Sequence, residues 1–419
     1  MRKVINKKLL LSSIATSIVL SATSQVQAQD SVFVGHLADM SGPTAFVGQR
    51  YANGVRDALS YIKKNNGING TELNSKTIDY AYKVPQAIAA YRKWKSRNHM
   101  VAMQGWGTAD TEALITFVAR DKTPVFSGSY SGHLTDPTGK NPNTKRPAPY
   151  NFFYGASYSD VCRGLVQWAS NDWKSKGGKG QPKFTHIGAN HPYPNAPKAA
   201  CADYAKELGF KVMPPVVVSM KSGDFKAQCL SLKDSGTNYG YLANLGGSIL
   251  SLIKSCDTVG TKFQMMTNIW GADKNFFAAA GSGLKNYIFP TMTPFWGDNV
   301  PGMKLVREIS KMSDPSGKKE RVHHYIRGVC SVYYMKEAME WAKENGGITG
   351  ENIKKGMYAH KNWVPKGLEG VCLPATWTPE DHRGINKVNI YKANYNGNKV
   401  DVNKETTVTL KRRDDWLGY

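Results

Sequence analysis

The feature that most constrains the fold is a regular alternation of short apolar runs with longer stretches of helical period. Residues 32–37 have the pattern of a buried strand, and residues 51–64 then repeat apolar side chains every three or four positions, as one face of a helix does. Turn residues at 65–70 end that helix. The same order continues with strands predicted at 76–82, 100–104 and 123–126 and helices predicted at 85–97 and 111–121. This alternation predicts an α/β fold whose parallel sheet is covered by helices on both faces.

A proline-rich stretch at residues 134–150 interrupts the alternation and is typical of a long surface loop at a domain boundary. The pattern then resumes with helices predicted at 157–174, 195–208, 225–234 and 248–256 and strands predicted at 184–189, 212–218, 239–245 and 263–267. Later segments are a strand at 286–294, helices at 325–345 and 351–358, and β-like stretches at 387–391 and 406–410. The chain therefore predicts two doubly wound parallel-sheet units, in line with the two or three domains expected of 419 residues.

The N-terminus has the pattern of a secretory signal peptide. A basic head is followed by an apolar run at 9–20, and Val26 and Ala28 place small residues at the minus-three and minus-one positions of a cleavage site. The run is shorter than the roughly 20 apolar residues that a spanning helix needs. We expect residues 1–28 to be removed and the mature protein to be periplasmic. Because Gln29 rather than a cysteine follows the cleavage site, we expect no lipid anchor.

The net charge is strongly positive, since 55 Lys and Arg residues against 32 Asp and Glu residues give +23. Such an excess suggests nucleic-acid binding, but an exported chain does not usually meet nucleic acid. We therefore expect no nucleic-acid partner. We interpret the excess of positive charge as an adaptation to the host's medium or to an anionic membrane surface. The alternative is that its long-range field steers anionic ligands toward the protein.

All six cysteines follow the expected cleavage site and would reach a compartment where disulfides persist. Six cysteines allow 15 complete pairings, so the connectivity cannot be derived from the sequence. Proximity along the chain favours Cys229 with Cys256 and Cys330 with Cys372.

Several stretches, taken in order, resemble the branched-chain amino acid type of periplasmic substrate-binding protein. They are Ser41-Gly42-Pro43 after the first strand, then residues 66–70, 105–111 and 123–127, and the Ser-rich turn that follows. No single motif is specific, but the ordered set covers nearly the whole chain beyond residue 28.

The resemblance implies two lobes that are joined by three crossovers and close on a ligand like a hinged clamp. It places lobe 1 at 29–153 and 293–385 and lobe 2 at 154–292 and 386–419. It further implies a monomer without catalysis, metal or cofactor, which captures a small organic solute and delivers it to the permease and ATPase chains of an ABC importer. Open parallel sheets suit this role, because they bind ligands at the carboxyl ends of their strands.

The resemblance also places the family's carboxylate-binding hydroxyls on this chain. The first is Thr108, in a turn between a strand and a helix, where free backbone N–H groups face a ligand. The others are Ser129 and Ser131 in the Ser-rich turn after the next strand. These uncharged donors suit a carboxylate or carbonyl, while helix capping and turn hydrogen bonds are their alternative roles.

Aromatic and amide side chains near the same turns complete the predicted site. Apolar walls with a few polar groups are typical of small-ligand sites. For each ring, packing in the core is the alternative role. The predicted contacts are Phe46, Trp106, Tyr193, Asn244 and Trp270.

The second lobe lacks the acid that an α-amino acid ligand would need. Family members that bind amino acids usually set a carboxylate against the ammonium group, because a buried cation without a partner is costly. The matching residues 265–271 and the nearby 243–247 contain no Asp or Glu. The residues favour an uncharged or anionic ligand with a flat or apolar body, such as an aromatic acid or an amide. Asp39 and Asp110 lie near the first-lobe turns and could pair with an ammonium group, so an amino acid ligand remains an alternative.

An enzyme is the main alternative from another class. Residues 128–132 resemble the G-x-S-x-G elbow of a hydrolase, but Tyr130 occupies the position of the nucleophile. Residues 105–110 begin like a dinucleotide-binding loop, but Asp110 stands where Gly or Ala is needed. His323 and His324 could suggest a metal, but adjacent residues point apart, so we expect two surface histidines.

A ligand-sensing subunit of a signalling system is the third alternative, because the same fold serves sensing and fold does not fix function. The absence of an attached kinase in the sequence favours transport.

Overall fold

The computed structural model describes Met1 and residues 31–419. The predicted signal peptide, residues 1–28, lies outside the described residues apart from Met1. Across residues 31–419, no helix combines the length and the apolar character needed to cross a membrane.

Strands and helices alternate along the chain as the periodicity predicts. The strands are β1 Ser31–Ala38, β2 Glu72–Asp79, β3 Ala102–Gly105, β4 Val125–Ser127, β5 Asn151–Phe153, β6 Lys183–Gly188, β7 Lys211–Val212, β8 Val216–Val217, β9 Tyr239–Ala243, β10 Gln264–Thr267, β11 Tyr287–Thr291, β12 Lys387–Tyr395 and β13 Val400–Thr409. The helices are α1 Ala45–Lys64, α2 Val84–Asn98, α3 Thr108–Arg120, α4 Tyr158–Ser175, α5 Pro192–Asn195, α6 Lys198–Glu207, α7 Lys226–Ser235, α8 Gly246–Thr258, α9 Lys274–Ala280, α10 Met303–Ser310, α11 His323–Glu344 and α12 Gly350–Tyr358.

The first sheet is fully parallel and has the strand order β2-β1-β3-β4-β5. Its inner strands are almost continuously buried, and β3, β4 and β5 have no exposed residue, whereas the edge strand β2 is partly exposed. This pattern is expected for a parallel sheet with helices on both faces. Helices α10 and α11 come late in the chain, yet both pack against α1, so the chain returns to this sheet after building the second one.

The second sheet has the order β13-β12-β11-β10-β9-β6-β7, with β8 also paired to β6. Strands β6 to β11 run parallel, whereas β12 and β13 are antiparallel, so the sheet is mixed rather than purely parallel. Strand β12 is antiparallel to both of its neighbours. It follows β11 only after the chain has returned to the first sheet, and a short turn at residues 396–399, in which Gly397 has a φ of 98°, joins it to β13; such turns connect only antiparallel neighbours. The chain crosses between the sheets before β6, after β11 and before β12, which gives the three predicted crossovers.

Some element boundaries differ from the predicted ones. Helix α1 begins at Ala45, six residues before the predicted start. The predicted strand at 212–218 is divided into β7 and β8, because Pro214 and Pro215 supply no backbone N–H to the ladder. The short helices α9 and α10 were not predicted, since each presents too few residues for a clear period.

Three disulfides involve all six cysteines. The two pairs favoured by proximity, Cys229–Cys256 and Cys330–Cys372, are confirmed, with Cα atoms 5.0 Å and 5.8 Å apart. The third joins Cys162 of α4 to Cys201 of α6 across 39 residues and holds these two neighbouring helices together.

Candidate functional site

A small cavity lies where the carboxyl ends of the two sheets face each other. Each lining residue follows the end of a parallel strand, β1 to β6, β9 or β10, which is where open parallel sheets place their ligands. Its volume is about 20 Å³, room for little more than a water molecule. It is lined by Thr44, Tyr82, Trp106, Gly107, Thr108, Gly128, Tyr158, Tyr193, Leu245 and Trp270.

The first-sheet wall is built by the turns after β3 and β4. Helix α3 begins at Thr108, and its side-chain hydroxyl lies 2.9 Å from that of Ser129. Both residues are about 1% exposed. Gly107 precedes the helix, and a Cβ there would collide with the ring of Tyr82, so the turn requires glycine. The structure thus brings the two predicted hydroxyls together at one edge of the cavity.

Trp106 on the same wall is fixed by a chain of hydrogen bonds. Its indole N–H donates to the Thr44 hydroxyl at 2.7 Å, and that hydroxyl donates to the Asp39 carboxylate at 2.6 Å. Asp39 also accepts from the backbone N–H groups of Gly42 and Thr44. Asp39 is therefore engaged in shaping the loop after β1, and the Trp106 ring is held in one orientation at the cavity.

The opposite wall carries Tyr193 at the start of α5 and Trp270 after β10. The Tyr193 hydroxyl donates to the Asn268 side-chain oxygen at 2.7 Å, and the same oxygen accepts from the Trp270 backbone N–H. The Trp270 indole N–H donates to the Tyr158 hydroxyl at 2.9 Å. Burial raises the pKa of Tyr158 to about 12, so its phenol stays a neutral donor and acceptor at physiological pH.

Four of the predicted contacts lie outside the cavity lining, and one of them, Ser129, lies beside it through its contact with Thr108. Ser131 donates to Glu112 at 2.7 Å and caps a short 3-10 helix at 132–134. Asn244 donates to the Ser219 carbonyl and the Ser248 hydroxyl. Phe46 is 38% exposed on α1, next to Gly246 of α8. Direct ligand contact by these four residues stays a prediction.

Six lining residues were not among the predicted contacts, namely Thr44, Tyr82, Gly107, Gly128, Tyr158 and Leu245. The rule that ligands lie beyond the carboxyl ends of strands could have found Tyr82, three residues after β2. Ala81 and Tyr82 both have positive φ, at 50° and 59°, a conformation that non-glycine residues adopt uncommonly. The sequence around Ala81 and Tyr82 does not indicate that these residues have positive φ.

The lining is uncharged: the ten residues include no Asp, Glu, Lys or Arg. Asp110 lies one turn into α3, where its carboxylate accepts a hydrogen bond from Tyr80 at 2.7 Å. Burial raises the pKa of this carboxyl to about 7, although that hydrogen bond opposes the effect. Neither Asp39 nor Asp110 lines the cavity.

The expectation of two surface histidines was wrong. His323 and His324 are 2% and 0% exposed, because the first turn of α11 is covered on both sides. The His323 ring packs against Phe295, and the His324 ring packs against Trp270. Within residues 31–419, no group of three or more His, Cys, Asp or Glu side chains is arranged to hold a metal ion.

The Ser-rich turn does place a serine, a glutamate and a histidine together, but in the wrong order for a catalytic triad. Ser131 and His133 both contact Glu112, at 2.7 Å and 3.1 Å, so the acid rather than the histidine lies in the middle. A triad needs the histidine between the nucleophile and the acid. Burial opposes ionisation of Glu112, but the hydrogen bonds from His133 and Ser131 lower its pKa.

Known proteins of the same architecture share this arrangement of two facing sheets. An ABC transporter substrate-binding protein from Aeropyrum pernix is 25% identical, with 92% of this chain and 98% of that chain covered and a TM-score of 0.79. A branched-chain amino acid ABC transporter protein from Thermus thermophilus with bound valine is 20% identical, with 91% and 97% covered and a TM-score of 0.79. A fatty acid ABC transporter substrate-binding protein from Thermomonospora curvata is 16% identical, with 91% and 93% covered and a TM-score of 0.75.

A search of curated proteins finds no match to this sequence. The sequence model of the family described as periplasmic binding protein matches residues 31–399. The match includes the first sheet, the second sheet except β13, and every residue that lines the cavity. The chain therefore belongs to the periplasmic binding protein family, as a substrate-binding protein of the ABC transporter type.

Proposed function

We propose that this protein captures a small organic solute of the amino acid, aromatic acid or amide class between its lobes and delivers it to an ABC permease. One observation carries the proposal: all ten cavity-lining residues follow the carboxyl ends of strands in two sheets that face each other. The chain itself performs no catalysis and works in the periplasm as a monomer, with the ATPase on a separate chain.

The proposed lobes are 29–153 with 293–385 and 154–292 with 386–419. A cavity of about 20 Å³ is too small for an organic solute, since small-molecule pockets usually measure 300–1,000 Å³. The lobes must therefore separate to admit the ligand. A solute that touches both walls then favours the closed state by its differential affinity for that state.

The proposed contacts divide between the two walls. Thr108 and Ser129 offer hydroxyl donors to an oxygen of the ligand, and Trp106, Tyr193 and Trp270 enclose its body. The absence of any acid among the lining residues disfavours a ligand with a buried ammonium group, because a buried cation without a partner is costly. Valine and fatty acids, named for two proteins of the same fold, both carry a carboxylate.

A thermal-shift screen of the protein from residue 29 onward tests the proposal. The panel contains amino acids, aromatic acids, aliphatic acids, amides and urea. A ligand at 100 times its Kd adds about 2.7 kcal/mol of stability. We expect at least one class to raise the Tm in a saturable manner. The absence of a shift with every class would contradict the proposed function.

A further inference from the structure

The side chain of Arg327 in helix α11 is completely buried, at 0% exposure, next to the proposed ligand site. Its Nη2 donates to the carbonyl oxygen of Ile269 at 2.7 Å, while Nε and Nη1 have no acceptor among the described residues. A guanidinium carries five N–H donors and keeps its charge in proteins. A buried cation in this state is costly unless an anion joins it.

The guanidinium lies at one side of an aromatic box. Its Cζ is 4.7 Å from the ring centre of Trp270. The Trp270 ring is in turn surrounded by the rings of Tyr51, Trp106 and Tyr130, with centroids 5.8, 5.0 and 5.7 Å away. The hydroxyls of Tyr51 and Tyr130 are buried and also have no partner within residues 31–419. Flat apolar walls with unused polar groups at their edge are suited to a flat ligand that carries oxygen atoms.

Asp273 interacts electrostatically with Arg327 but forms no ion pair with it. Asp273 accepts a hydrogen bond from the Phe276 backbone N–H, and its other oxygen lies 3.4 Å from Arg50. Among the described residues, Arg327 has no ion pair within 4 Å. The positive charge of Arg327 is therefore available to a ligand.

The contacts of Arg327 cross the cleft between the lobes. Helix α11 packs on α1 beside the first sheet, whereas Ile269 and Trp270 follow β10 of the second sheet. Separation of the lobes would remove both contacts and expose the guanidinium to the open cleft. Closure over a neutral ligand would bury this charge again, whereas closure over an anion would bury a neutral pair.

We propose that Arg327 binds the carboxylate of the ligand and that the ligand is a planar aromatic acid. This inference rests on the proposed function and narrows its ligand class. The planar fork of arginine matches a carboxylate with two parallel hydrogen bonds. The ring of the acid packs among Tyr51, Trp106 and Tyr130, and Trp270 covers it from the second lobe. Thr108 and Ser129 then serve a neutral oxygen, such as a ring hydroxyl.

Matched acids and amides test the proposal by calorimetry. The probes are benzoate and 4-hydroxybenzoate against benzamide and 4-hydroxybenzamide, each with the wild type and with Arg327→Met. We expect the wild type to prefer the acids. Loss of one partner of a buried charge pair should weaken acid binding about 30- to 1,000-fold. Amide binding should change less than about threefold.

Arg163→Met is the matched control. Arg163 is also buried and lies 4.4 Å over a tryptophan ring, that of Trp416, but it is paired with Asp160 at 2.8 Å and does not line the cavity. The control should lower the Tm, because it leaves Asp160 unpaired, and it should keep the preference for acids. In the absence of ligand, the Arg327→Met variant should melt at or above the wild-type Tm, since the substitution removes a buried cation without a counter-charge.

Four results would count against the inference. Unchanged acid binding in Arg327→Met, or an equal loss for acids and amides, would overturn it. Wild-type binding of amides with no response to acids would overturn it and leave the proposed function standing. If no solute of any class binds, the proposed function fails and the inference fails with it.

Discussion

The hydrogen bond between Thr108 and Ser129 can be tested by a double-mutant cycle. The two hydroxyl oxygens are 2.9 Å apart, and both side chains are buried at about 1% exposure. Thr108→Val keeps the shape of the side chain and removes the hydroxyl, and Ser129→Ala does the same with one atom fewer. Each single change leaves the other hydroxyl buried without this partner.

The magnitudes follow from that geometry. An unpaired buried hydroxyl costs about 1–3 kcal/mol, whereas replacing both partners by apolar groups is nearly neutral. Each single variant should therefore lower the free energy of unfolding by about 1–2 kcal/mol. The double variant should lose less than the two single variants together, with a coupling energy of about 1–2 kcal/mol.

Urea denaturation of the four proteins gives the coupling energy, and calorimetry with the ligand found by the screen gives the effect on binding. Each single variant should weaken binding about five- to 150-fold, because an enclosed acceptor of the ligand loses a donor. Strictly additive losses of stability would show that the two hydroxyls are not paired in solution. Wild-type affinity in the double variant would refute the assignment of these hydroxyls to the ligand.

Three further predictions address other parts of the molecule. Asp110→Asn should leave stability unchanged at pH 4 and raise it at pH 8, because a carboxyl whose folded pKa is raised from 3.8 to about 7 destabilises the fold increasingly between those two values. At about 1.4 kcal/mol per tenfold change in acidity, the gain reaches at most about 4 kcal/mol, measured by urea denaturation at both pH values; equal gains at pH 4 and pH 8 would contradict the burial argument. Gly107→Ala should lower the Tm and weaken ligand binding, because its Cβ would collide with Tyr82, and unchanged values would show that the turn can relax. Replacing Cys330 and Cys372 together by Ala should cost about 2–5 kcal/mol in urea denaturation, since their bond closes a 42-residue span, and an unchanged midpoint would show that the bond is absent in solution.

The fold could be predicted from the sequence because it depends on periodicity repeated over many residues. The apolar runs at 32–37 and 239–245 became β1 and β9 within two residues at each end. The mixed character of the second sheet was missed, because the direction of β12 depends on where the chain re-enters the sheet and that of β13 on the turn at 396–399, and the residue pattern of a strand shows neither. That the chain returns to the first sheet after β11 came from the family resemblance alone.

Residues of the candidate site could be predicted only where a recognisable residue type follows a strand or a turn. Trp106, Thr108, Tyr193 and Trp270 line the cavity, and each comes directly after a recognisable strand or turn. Arg327 gave no such signal, because an arginine is normally exposed. Its burial follows from the cover that Trp270 supplies from a distant segment, and sequence reasoning has no access to that contact.

Small-angle X-ray scattering of the protein from residue 29 onward, with and without saturating ligand, tests the central claim most directly. The cavity in the closed arrangement holds little more than a water molecule, so a solute can enter only after the lobes separate. We predict that the free protein has a larger radius of gyration than the closed structure and contracts when the ligand is added. A radius that already equals the closed value and does not change with a ligand whose binding calorimetry has established would contradict capture between two moving lobes.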